Sequence, residues 1–134
     1  MAQVGGMSKY RNKKITVDGM TFDSKGEYHR WCELQLLERA GVIENLRFKP
    51  PKWNFQIGDE FLTVARKGSK KGTKVSWTAD FDYQEKSTDE SGRETWSYVV
   101  EDFKGMNTRI SKLKHGLMRL FHNIDVRITR KASY

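Results

Sequence analysis

The stretch VSWTADFDYQEKSTDESGRETWSYVVEDFK, residues 75–104, decides how this chain folds. Residues 75–83 alternate with the period of a strand. Trp77, Ala79, Phe81 and Tyr83 fall on one side, and Ser76, Thr78, Asp80 and Asp82 on the other. Residues 96–104 form a second strand, stopped by Gly105. The eleven residues between them, EKSTDESGRET (85–95), are polar and predict a hairpin loop. Consecutive strands joined by one loop pair antiparallel. If Asp80 lies opposite Asp102, the hairpin centres on Ser91, next to Gly92, where the composition calls for a turn. Opposed residues share a face. Asp80, Asp82, Asp102 and Lys104 then stand together, while Phe81, Glu101 and Phe103 point away.

Two carboxylates held about 5 Å apart across a strand pair repel unless something neutralises them. A hard divalent cation does so with oxygen ligands, and a lysine beside them can hold or help deprotonate an attacking water. That is the chemistry of phosphodiester hydrolysis. The plainer reading is a solvated sheet face, where Asp and Lys are common. Against it, Asp80, Asp82 and Asp102 interrupt runs of strong strand formers, although Asp is disfavoured in strands. Residues at odds with their local structure tend to serve function.

Outward from this hairpin, residues 15–22 read as a smaller hairpin turning at Asp18-Gly19. A helix follows, capped by Ser24 with Glu27 three residues on, the spacing of a capping box. Its apolar stripe is Tyr28, Trp31, Cys32, Leu34, Leu36 and Leu37, and Gly41 stops it. Residues 44–48, 53–57 and 61–65 are strand candidates, broken by Pro50-Pro51 and by Gly58-Asp59. Residues 66–74 (RKGSKKGTK) read as a basic, Gly-rich loop. After Gly105 a helix over 108–123 places Ile110, Leu113, Leu117, Leu120 and Phe121 on one stripe, and residues 125–130 close as a strand. The expectation is an α/β chain, a mixed sheet with a helix on each side. Residues 1–14 are a basic arm and 15–134 a single domain.

Lys and Arg total 25 against 17 Asp and Glu, a net charge of +8, which draws the chain to polyanions, nucleic acid first. No long apolar run argues for a membrane, and the N-terminus shows no signal-peptide core. One cysteine, Cys32, fits a reducing compartment. It also rules out a cysteine-built zinc site, and His29, His115 and His122 lack a metal-ligand spacing partner.

The segments KYRNKK (9–14), FDSKGEYHRWCEL (22–34), TADFDY (78–83) and VVEDFKG (99–105) together resemble the PD-(D/E)xK nuclease superfamily. More closely, the chain is similar to a phage-encoded family of small basic proteins grouped with Holliday-junction resolvases. The resemblance implies a restriction-endonuclease-like core of helix, three strands, helix, strand. It makes Asp80 the motif aspartate and Asp102-Phe103-Lys104 the D-x-K element, with Glu27 on the first helix as a further metal-site carboxylate. Ala79 stands where the motif's name has proline, and Glu101-Asp102 offers two acids before the lysine. The pairing argument favours Asp102. Glu27 has an alternative role in its capping box.

The implied activity is a Mg²⁺-dependent DNA endonuclease, with Mn²⁺ as a substitute. Its preferred substrate is branched DNA, and a homodimer is implied by the two symmetric cuts that a four-way junction needs. A phage protein of this kind works in the host cytoplasm. Lys9, Arg11, Lys13 and Lys14 on the arm, Arg66, Lys67, Lys70, Lys71 and Lys74 on the loop, and Arg109 and Lys112 after the catalytic strand are candidates for phosphate contacts. Two rival readings stay open: a non-catalytic DNA-binding protein with structural acids, and a nuclease of another role, such as nicking, packaging or host-DNA degradation.

Overall fold

The computed structural model describes residues 13–104 and 107–130. Lys9, Arg11 and most of the expected arm lie outside them; Lys13 and Lys14 are exposed. The chain opens with a hairpin, β1 (Ile15–Val17) and β2 (Met20–Phe22), whose two-residue turn is Asp18-Gly19, both at positive φ as the twist of a tight hairpin requires. Helix α1 (Lys25–Arg39) follows, then β3 (Ile43–Phe48).

The middle of the chain is a string of short strands. These are β4 (Trp53–Asn54), β5 (Gln56–Ile57), β6 (Glu60–Phe61), β7 (Thr63–Arg66), β8 (Ser69–Lys74) and β9 (Ser76–Trp77). The long hairpin is β10 (Phe81–Thr88) with β11 (Glu94–Phe103). Helix α2 (Arg109–His122) then carries the chain to β12 (Arg127–Thr129).

The main sheet has the order β12-β11-β10-β3. β10 pairs antiparallel with both β11 and β3, and β11 pairs parallel with β12. A parallel pair needs a crossover, which α2 provides. The sheet is therefore mixed, with one helix against each face. On one face Leu34 of α1 packs with Ile43, Phe81, Tyr83 and Val99. On the other, Met118 of α2 packs with Val100, Ala79, Trp77 and Phe55. The coarse α/β expectation holds.

The register of the long hairpin is the expected one. Phe81 faces Glu101 and Thr88 faces Glu94, which centres the turn on Ser91. The predicted loop over 85–95 is shorter, because the ladder runs out to Thr88 and Glu94. Asp89 closes the turn by accepting bonds from the N–H groups of Ser91 and Arg93, each at 2.9 Å.

Three expectations are corrected. First, residues 75–83 are not one strand. β9 pairs with β4, β10 pairs in the main sheet, and the chain bends at Asp80 in passing from one ladder to the other. The alternation is lost there, so Trp77 and Ala79 face α2 while Phe81 and Tyr83 face α1. Second, the predicted basic loop is a β-hairpin, β7 with β8, turning at Lys67-Gly68. Third, both helix stripes are narrower than predicted. Leu36 on α1 is 60% exposed, because two residues from buried Leu34 carries a side chain to the far side of a helix. On α2 the buried side centres on Met118, which leaves Ile110, Leu113 and Leu120 in solvent.

Candidate metal centre

Asp23 and Glu27 arrive from the start of α1. Ser24 caps that helix by accepting the Glu27 N–H at 3.1 Å, and the positive end of the helix favours carboxylates in its first turn. Gly26 lets the helix start approach the end of β11: a methyl group there would come 2.7 Å from Phe103 Cζ. That approach brings the first turn of α1 to the end of the β10–β11 hairpin.

Asp80 sits in the bend before β10. Its backbone is held by the Lys49 N–H at 2.8 Å and by the Glu101 carbonyl at 3.2 Å. Its Oδ2 accepts the Phe103 N–H at 2.7 Å. Carboxylate oxygens of Asp23, Glu27 and Asp80 all lie within 4.8 Å of one another.

Asp102 stands beside Asp80, and its charge acts on both Asp80 and Glu27. Asp102 Oδ2 takes Lys104 Nζ at 3.0 Å and His115 Nε2, from α2, at 2.9 Å. The edge of the Trp77 ring steadies His115, centroid to centroid 5.5 Å.

Burial decides the electrostatics. Glu27 and Asp102 are each 2% exposed. Burial, then the charge of Asp23, push the Glu27 carboxyl up to about 7, with Lys49 pulling the other way. Burial, the adjoining Asp102 carboxylate, which favours a proton on Asp80, and the charge of Glu27 raise Asp80 well above the carboxylate range. Glu27 Oε1 has no hydrogen-bond partner among the described residues. A buried oxygen in that state costs about 1–3 kcal/mol. Carboxylate oxygens, crowded and undersupplied with protons or donors, are the donor set of a hard divalent cation. Asp23, Glu27 and Asp80 fit such an ion, with Asp102 next to them and held by Lys104 and His115.

The structure therefore gathers four of the expected residues, Glu27, Asp80, Asp102 and Lys104, and separates others. Asp82 was expected with them. It instead binds Arg47 through both oxygens and takes the Tyr98 hydroxyl at 2.6 Å. Glu101 points to the α1 face, as expected, where Arg30 holds both of its oxygens, at 2.7 and 2.9 Å, and Thr129 and Tyr83 add hydroxyl bonds. Every oxygen of Glu101 is engaged, so the ambiguity between the two adjacent acids falls to Asp102. Ser24's half of the capping box is formed, and Glu27's carboxyl turns towards the acids.

Three site residues escaped the sequence reading. Asp23 had a usable signal, four residues before Glu27 and hence near it at a helix start. Lys49, whose Nζ is 3.8 Å from Asp23, and His115 had none. The basic candidates Arg66, Lys67, Lys70, Lys71, Lys74, Arg109 and Lys112 are all exposed.

Fold and site together define a mixed α/β protein with a partly buried carboxylate cluster at one end of its central sheet. Residues 7–134 match the protein family described as "Protein of unknown function (DUF1064)", and the chain belongs to that family. Comparisons with curated proteins and with solved structures return no match. No helix among the described residues is long and apolar enough to cross a membrane.

Proposed function

We propose that the chain is a metal-dependent DNA endonuclease of the PD-(D/E)xK type, built on a restriction-endonuclease-like core and selective for branched DNA in the manner of a Holliday-junction resolvase. The observation that carries this reading is the convergence of buried Glu27 and Asp102 with half-buried Asp80 and Lys104, leaving Glu27 Oε1 without a partner. The element order helix, three strands, helix, strand around the main sheet agrees with it. So does the charge of +8, since acids alone would repel a phosphate chain.

Each residue has a role in that scheme. Asp23, Glu27, Asp80 and Asp102 would hold Mg²⁺, or Mn²⁺ in its place. The ion supplies positive charge against the phosphoryl oxygen and the negative charge that develops in hydrolysis. Lys104 orients the attacking water and steadies its negative charge as the proton leaves. His115 and Lys104 together fix one oxygen of Asp102 and leave the other for the ion. Homodimerisation would set two such centres on one junction.

A synthetic four-way junction, a flap and a linear duplex, each incubated with and without Mg²⁺, test the proposal. Cutting of the junction is expected with Mg²⁺ alone. Asp80→Asn and Asp102→Asn should abolish cutting and keep DNA binding. Lys104→Met should slow it about 100-fold or more, the scale of losing one preorganised charge at the transition state. An active Asp102→Asn protein removes the assignment. Binding without any cutting by the wild type leaves a DNA-binding protein with structural acids, and a preference for flap or linear duplex points to another nuclease role.

A further inference from the structure

We infer that the β7–β8 hairpin is a ribbon that enters a groove of double-stranded nucleic acid, which makes duplex the partner it grips. The inference deepens the nuclease proposal in naming the substrate form, but it rests on features separate from the acids.

Residues 61–79 contain five cations and no Asp or Glu. The cations are Arg66, Lys67, Lys70, Lys71 and Lys74, and every residue from 63 to 71 is exposed. An isolated two-stranded hairpin is marginal in water, and this one spends no apolar face on the core: even Val64 is 55% exposed. It is kept in shape by local devices. Ser69 Oγ accepts the Gly72 N–H at 3.1 Å. Gly72 lies so close to the opposite strand that a methyl group there would meet the Val64 carbonyl at 2.5 Å. The Lys74 ammonium rests 3.9 Å over the Phe61 ring. A protein that keeps an extended, cationic, apolar-poor ribbon ordered without a core has made it for something outside itself.

The register shows why a groove fits better than a flat surface. Thr63 faces Lys74 and Arg66 faces Ser69. The register shifts between the Val64 and Arg66 pairs with the extra residues on β8, so β7 keeps its alternation and Thr63 and Arg66, three residues apart on it, point to opposite faces. Arg66 is then on one face and Lys74 on the other. Lys70 and Lys71 lie in the irregular stretch of β8 between the Thr73 and Ser69 pairs, both exposed, and Lys67 is at the tip. A ribbon lying on a single phosphate wall would need its charges on one side. Charges on both sides suit two walls, and the major groove, about 12 Å wide, admits a two-stranded ribbon. The base of the ribbon is tied to the candidate centre. Asp80 is six positions on from Lys74, a reach of at most roughly 20 Å, and Leu62 and Val75 at its root pack with Trp77 and Ala79.

The test is binding without magnesium, by fluorescence anisotropy, of a mixed-sequence duplex several turns long and of one of its single strands, across a salt series. The probe protein is the full chain and its Arg66→Gln, Lys70→Gln, Lys71→Gln triple variant. The duplex salt slope should fall by roughly three, near one for each cation removed, with single-strand binding little changed. An unchanged duplex slope, or an equal loss for both strands and duplex, overturns the inference. A second measurement serves if the triple variant folds poorly. An iron-EDTA cleaver tethered at Lys67→Cys, in a Cys32→Ser background, should cut both strands flanking one groove; cuts confined to one strand overturn it. Neither readout needs hydrolysis by the protein. Ribbon-dependent binding without Mg²⁺-dependent cutting would sink the nuclease proposal and leave this one standing, and the reverse result would do the opposite.

Discussion

Burial and the neighbouring charge of Asp23 raise the pKa of Glu27 from 4.5 to about 7. Between those values the folded chain, free of divalent ions, keeps a proton that the unfolded chain has lost. Stability is then fully present below 4.5 and falls as pH rises towards 7. Asp80 is shifted in the same direction and extends the fall to higher pH. A divalent ion competes with these protons, so Mg²⁺ should raise Tm more at about pH 8 than at about pH 5. Differential scanning fluorimetry with EDTA or Mg²⁺ measures both effects, and Glu27→Gln should flatten the slope and shrink the gain from Mg²⁺. A Tm that climbs across the window in EDTA contradicts the assignment of buried, proton-holding acids. At this scale the sequence was informative for residues placed by a regular element. Asp80 and Asp102 could be set opposite one another because the turn between them is marked by its own composition. His115 could not, because it stands thirteen residues on, within a helix, from the carboxylate that it binds.

Along β11, the neighbours Glu101 and Asp102 point to opposite faces and so do different work. Glu101 joins Arg30 of α1, Tyr83 of β10 and Thr129 of β12, tying a helix and three strands through one buried carboxylate. Glu101→Ala leaves the Arg30 guanidinium and the Tyr83 hydroxyl without their acceptor. It should cost about 3 kcal/mol, the low end for breaking a buried pair because Arg30 is 20% exposed. Urea unfolding checks this, while Mn²⁺ affinity of the folded variant stays near that of the wild type. A large loss of Mn²⁺ affinity at unchanged stability would place Glu101 in the metal site instead. The alternation that separates 101 from 102 was legible in the sequence. The same rule failed at residues 75–83, because alternation counts faces only while one ladder continues, and the bend at Asp80 changes ladders.

For the molecule as a whole, the exposed apolar surface on α2 is concentrated on one line. Ile110, Leu113 and Leu120 are 69%, 65% and 78% exposed, and Gly116 between them has open space before it. The spacing of three and seven residues is that of a helix–helix seam, and the proposed homodimer gives a second copy of the same helix as its occupant. Arg109, Lys112 and Arg119 flank the line, so two copies repel at low salt and association should tighten as salt screens them. Sedimentation velocity at rising protein concentration, in low and in high salt, measures this, and Leu113→Glu should shift the population to monomer. A wild type that stays monomeric at high concentration and high salt removes the dimer from the proposed function.

The amino-acid sequence by itself determined the two helices, the long hairpin and its register, and the nearness of Asp80 to Asp102. These follow from periodicity, capping and turn chemistry, which act over a few residues. The tertiary structure alone decided that Glu27 and Asp23 meet Asp80, that Asp82 and Glu101 are consumed by Arg47 and Arg30, and that His115 holds Asp102. It also decided which side of each helix is buried. Those outcomes depend on how α1 and α2 dock on the two faces of the sheet, and docking is set by the summed packing of residues far apart in the chain, which no local pattern encodes.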